Sequence, residues 1–201
     1  MLEGRKILLI ITGGIAAFKA IDVMRLIRKA GGEVQPLMTR AAQNFVTPMT
    51  ASTVSGKATL TELFDLSREA EINHIELVRD ADLIVVAPAT GNFMAKMALG
   101  LADDLASTAI LARDKDVIVV PAMNVRMWES AATQRNYKQL LADGMQFLGP
   151  VEGSMACGEF GPGRLAEPPE IFDAVCAYFE KGQSLKGKHF IVTSGGTREP
   201  I

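Results

Sequence analysis

The chain has 201 residues, enough for one compact domain with room for a fragment of a second. Apolar residues make up 48% and charged residues 22%, which excludes a disordered or collagen-like chain. With 21 basic against 23 acidic side chains there is no cationic field to concentrate the protein on nucleic acid. Two cysteines, Cys157 and Cys176, give neither a disulfide framework nor a C-x-x-C pair. The expected compartment is therefore the reducing cytoplasm, and no metal site is expected. The apolar run 7–11 is too short to span a membrane, and Gly13 and Gly14 cut it off before a signal-peptide core could form.

Short apolar runs bounded by turn residues predict strands over 6–11, 33–38, 83–87 and 117–120, with a fifth over 146–148. Pro36 puts the second near an edge. Continuous apolar strands separated by helical spacing predict an α/β fold, a doubly wound parallel sheet with helices on both faces. The first helix is expected over 15–30, with Ile15, Phe18, Ile21, Val23, Leu26 and Ile27 as its inward stripe and Gly31 and Gly32 ending it. Further helices fit 71–78, 93–99, 103–112, 131–143 and 169–180. The Gly-rich stretch 149–168 predicts an irregular loop or flap. After Gly182 the pattern restarts with a strand over 188–193 and a turn, Ser194, Gly195, Gly196 and Thr197, so the chain divides into a domain over 1–182 and the start of another over 183–201.

Three turns follow strands and carry the polar residues. Gly13, Gly14, Ile15 and Ala16 form a strand-to-helix turn whose small residues would let a phosphate reach the first helical N–H groups. This pattern is neither G-x-G-x-x-G nor the P-loop. Thr90, Gly91 and Asn92 follow the third strand, and Ala122, Met123 and Asn124 follow the fourth. Ligands on such sheets bind beyond the carboxyl ends of the strands, where these turns converge. His74 lies on a helix, where a histidine read alone is a surface or core-edge residue. Cys157 lies in the Gly-rich flap, where a thiol could serve as acid or nucleophile, or be structural. Cys176, on an apolar helix face, reads as packing, and His189 is assigned no role.

Together these motifs resemble the flavin-dependent cysteine decarboxylase family, on a flavodoxin- or Rossmann-like fold, and within it the members that act on phosphopantothenoylcysteine in coenzyme A biosynthesis. The resemblance rests on the Gly13 to Lys19 turn, the helical His74, the segments from Ala87 to Asn92 and Ala102 to Thr108, Pro121-Ala122-Met123-Asn124 with Met127, and the Cys157 to Arg164 flap. The tail around Thr193 to Pro200 resembles the opening of phosphopantothenate-cysteine ligase, implying a bifunctional protein whose ligase domain is missing here. Phe93, where many relatives carry threonine, has no hydroxyl to offer a cofactor.

The resemblance implies FMN, with its phosphate at Gly13, Gly14, Ile15 and Ala16, Thr39 as a hydroxyl partner, and Thr90, Gly91, Asn92 and Ala122 against the ribityl chain and ring. It implies decarboxylation of 4'-phosphopantothenoylcysteine to 4'-phosphopantetheine by thiol oxidation, loss of carbon dioxide from the resulting thioaldehyde, and re-reduction of the enethiol. His74 would be the base or electrostatic partner, Asn124 would orient the substrate carboxylate, Met127 would shape an apolar wall, and Cys157 would return the proton. An unperturbed thiol, with a pKa of about 8.5, is mostly protonated near neutrality, as a donor must be. Trimers, assembled into a dodecamer, would complete the site. A non-catalytic flavoprotein, a flavin prenyltransferase and a peptidyl-cysteine decarboxylase are the competing readings. The first two need not carry His74, Asn124 and the cysteine flap together, and the ligase-like tail counts against the third.

Overall fold

The computed structural model describes residues 2–62, 74–154 and 158–181, with the side chains of residues 74, 75 and 181 outside that description. Five strands, β1 (Lys6–Ile11), β2 (Glu33–Met38), β3 (Leu83–Ala89), β4 (Val117–Pro121) and β5 (Gln146–Phe147), form one parallel sheet in the order β2-β1-β3-β4-β5. The central strands are apolar throughout because both faces are covered. Along β1, Ile7, Leu9 and Ile11 enter one core while Leu8 and Ile10 enter the other. Each fully buried aliphatic side chain contributes about 1.5–3 kcal/mol over its exposed state, so the two-sided core holds the layers together. Strand β2 lies at the edge, where Pro36 costs least.

Helices α1 (Phe18–Lys29), α2 (Pro48–Ser55) and α8 (Pro168–Lys181) lie over one face. On the other lie α3 (His74–Arg79), α4 (Gly91–Leu99), α5 (Leu105–Leu111) and α7 (Ala131–Ala142), with α6 (Val125–Glu129) leading into α7. Local capping explains several boundaries. Thr47 accepts from the N–H of Thr50 at 3.1 Å with Pro48 following it, and Asp104 and Ser107 form a reciprocal capping box that starts α5. Among the described residues no helix is long and apolar enough to cross a membrane.

Three expectations need correction. The stretch 149–168 is not an irregular loop: it holds an antiparallel hairpin, β6 (Val151–Ser154) against β7 (Phe160–Arg164), because Gly161 and Gly163 adopt φ of 148° and 153° within β7, backbone open to glycine alone. Ile15 and Phe18 do not face the core but are 62% and 54% exposed, since the helix begins as a 3-10 turn over Ile15–Ala17 and turns Ala17, Ala20 and Met24 inward beside the expected Val23 and Ile27. Helices α2 and α6 and a 3-10 turn over Ala42–Asn44 were not expected, being short and weakly periodic. Cys176 is half-buried against the core, as its helix face suggested. The expected start of helix 71–78, the strand 188–193, His189 and the division at residue 182 fall outside the described residues.

Candidate functional site

The reversal of strand order beside β1 leaves a crevice at the carboxyl edge of the sheet, between the ends of β1 and β3. Thr12 closes its floor. Buried at the end of β1, its hydroxyl donates to the carbonyl of Pro88 at 2.6 Å and accepts from the N–H of Thr90 at 3.1 Å, fastening the two strand ends together. Gly13 passes so close to the segment after β2 that a Cβ there would lie 2.8 Å from the backbone carbon of Ala41. Thr39 is anchored by its N–H to the carbonyl of Ile11 at 3.0 Å, and its hydroxyl accepts from the N–H of Ala42 at 3.3 Å. Thr90 caps α4, accepting from the N–H of Phe93 at 3.3 Å.

Above this floor opens a cavity of about 1100 Å³, slightly larger than the roughly 300–1,000 Å³ typical of ligand sites. Gly13, Gly14, Ile15 and Ala16 line it with Thr39, as do Thr90, Gly91, Asn92 and Ala122, and Asn124 and Met127. A Cβ on Gly91 would make ordinary contact with the Met127 methyl at 3.5 Å, so α4 and α6 approach each other closely at the cavity. Asn124 caps α6 by accepting from the N–H of Arg126 at 2.8 Å, and its amide donates to Glu159 on the hairpin side. The N–H of Met123 donates to the carbonyl of Gly163 at 2.9 Å, which brings the hairpin against the turn carrying Asn124.

Of the sequence-derived candidates, eleven thus share one cavity. His74 begins α3, but its side chain lies outside the described residues, as does Cys157 between the hairpin strands. Sequence reasoning missed Thr12, although it stands directly before Gly13, and the cavity's charged groups. Lys96 binds Asp103 at 2.6 Å and Asp104 at 2.8 Å. Burial opposes ionisation of Asp104, yet the Lys96 ammonium and the Ser107 donors outweigh it and hold its carboxyl below the usual carboxylate range. Lys19 and Arg164 both donate to Glu167, and the Lys19 contact, against modest desolvation, keeps that carboxyl low. Phe93 also lines the cavity, but its ring is packed into the core and its N–H donates to Thr90.

The residues fit a flavin phosphate: at Gly14 a Cβ would meet only the Thr90 methyl, at 3.6 Å, so the turn is open there, and Gly13 to Ala16, which open the helical segment, all line the cavity. The flavoprotein family model matches residues 1–180. The chain belongs to the flavoprotein family. Over 200 residues it is 46% identical to the coenzyme A biosynthesis bifunctional protein CoaBC of Vibrio vulnificus, covering all of this chain and 50% of that protein. The chain thus spans about half the length of the curated relatives it matches. Among solved structures of the family, a cysteine-to-serine mutant of a PPC decarboxylase complexed with pantothenoylaminoethenethiol superposes with a TM-score of 0.77 at 30% identity, covering 88% of this chain and 98% of that one. The FMN-dependent cysteine decarboxylase SpaF superposes with a TM-score of 0.76 at 28% identity, covering 92% and 100%.

Proposed function

We propose that this chain is an FMN-dependent carboxy-lyase that converts 4'-phosphopantothenoylcysteine to 4'-phosphopantetheine. The observation that carries this reading is that the Gly13–Gly14 turn and Asn124 line one and the same cavity. Family relatives act as cysteine decarboxylases, and one is a bifunctional coenzyme A protein.

Bound FMN supplies a reversible two-electron exchange with the thiol-bearing carbon, without which loss of carbon dioxide would leave an unstabilised carbanion. The chain's residues bind, orient and move protons. The N–H groups of Gly13 to Ala16 and the Thr39 hydroxyl hold the phosphate, while Thr90, Gly91, Asn92 and Ala122 line the path of the ribityl chain and ring. Asn124 orients the substrate carboxylate, and Met127 covers an apolar wall. His74 acts as base or electrostatic partner before carbon dioxide leaves. Cys157 returns the final proton. A relative captured as a cysteine-to-serine mutant with an aminoethenethiol supports a cysteine acting after decarboxylation.

The reading includes assembly into trimers and a dodecamer that complete the site, for which exposed Leu99, Leu101 and Leu111 at the ends of α4 and α5 offer apolar surface. It also includes residence in the cytoplasm, a decarboxylase domain over 1–182 and the opening of a ligase domain over 183–201. The experiment is to strip the protein of flavin, reconstitute it with FMN, and follow carbon dioxide from labelled phosphopantothenoylcysteine. Release only after reconstitution supports the reading; none after full reconstitution rejects it.

A further inference from the structure

Resting on that reading, we propose that Glu167 is a positioning residue that pins the root of the β6–β7 hairpin to the helix following the phosphate turn. Its carboxylate is shared by two cations from distant segments: Lys19 Nζ, on the first turn of α1, at 2.9 Å, and the guanidinium of Arg164, the last residue of β7. A cation in the first turn of a helix opposes the helix dipole, so Lys19 is unfavourable there without a partner. Its side chain is only 14% exposed and points into the cavity wall, where Arg164 also lies. Arg164 in turn reaches across Gly153 on the opposite hairpin strand: a Cβ there would meet the Arg164 side chain at 3.1 Å. Gly153 thereby leaves room for the arginine stem, and the guanidinium carries the hairpin's position to Glu167.

The hairpin is also held by the bond from Met123 to Gly163 and, nearer its tip, by the Asn124 amide on Glu159. The node and the Met123 bond grip one strand from two sides, and the sequence joining the two strands contains Cys157. The node thus sets where the two strands that flank Cys157 in the sequence stand against the cavity that Ser154 and Arg164 line, while the phosphate turn has its own anchor in Thr12.

The test is hydrogen exchange on the FMN-loaded protein, paired with anaerobic rapid mixing. In Glu167→Gln the amides of β6 and β7 should exchange about twofold to fivefold faster, the effect of losing a partly exposed ion pair, while β1 and β3 exchange as before. Glu167→Asp should recover part of the protection. Lys19→Met should loosen the same amides, and the double variant Lys19→Met with Glu167→Gln should loosen them no more than the worse single change. On mixing with phosphopantothenoylcysteine, bleaching of the flavin should keep its rate and its recovery should slow by a similar factor, a split that general destabilisation would not produce. Unchanged hairpin exchange, loosening spread evenly over the sheet, or equal slowing of both phases overturns the proposal. Exchange is read without substrate, so a protein that never decarboxylates overturns the functional reading while the hairpin amides still decide the role of Glu167.

Discussion

The hydroxyl of Thr12 donates to the carbonyl of Pro88 at 2.6 Å, and this one buried contact joins the first and third strands where the cavity begins. The same oxygen accepts from the N–H of Thr90, the cap of α4, so a single side chain sets the floor and one wall. Thr12→Val keeps the shape but leaves both backbone groups unpaired. It should cost about 1–3 kcal/mol in denaturant unfolding and weaken FMN binding in a flavin titration. Unchanged stability would show that the backbone relaxes without the hydroxyl.

Gly13→Ala places a Cβ against the Ala41 backbone, which cannot move aside without shifting the segment that carries Thr39. The variant should lose FMN affinity by at least tenfold and unfold at lower denaturant, by about 1–3 kcal/mol. Gly14→Ala meets only the Thr90 methyl at 3.6 Å and should fold normally. Side-by-side flavin titrations and unfolding curves check the contrast.

Much of this layout was legible in the sequence, and the failures have physical causes. Buried parallel strands announce themselves as apolar runs, so the expected 83–87 and 117–120 fall within β3 and β4. The small residue at Gly13 marked where backbone must leave space. The hairpin was hidden because Gly161, Pro162 and Gly163 have the composition of a loop, and only the positive φ of the glycines reconciles them with a strand. Ile15 and Phe18 misled because periodicity reports apolar spacing and cannot tell a core face from a cavity rim. The Lys19–Glu167 pair, 148 positions apart, had no local signal at all.

Asn124→Ala removes the cap of α6 and the group facing Glu159. It should destabilise the fold by about 0.5–2 kcal/mol and lower carbon dioxide release far more than that loss explains, with FMN still bound. Steady-state rates beside thermal unfolding separate the two effects.

Asp104 should shape acid stability. Its folded pKa lies below the unfolded value, so its contribution is complete above about pH 4 and disappears as pH falls through the lower, folded value. Asp104→Asn should therefore be less stable than the parent at neutral pH and should converge on it in strong acid, as followed by urea midpoints across that range.

His74 and Cys157 should fail differently. His74→Asn should retain FMN but release no carbon dioxide. Cys157→Ser should bleach the flavin, decarboxylate once and accumulate an oxidised aminoenethiol, because a serine hydroxyl is too weak an acid to finish the reaction. Normal turnover by Cys157→Ser would make that cysteine structural.

The most direct measurement is mass analysis of the products formed when the FMN-loaded protein is incubated with phosphopantothenoylcysteine. The account predicts phosphopantetheine, lighter than the substrate by one carbon dioxide and with no net change in oxidation state. Recovery of intact substrate from flavin-replete protein, or of a product that has kept its carboxylate, would contradict it.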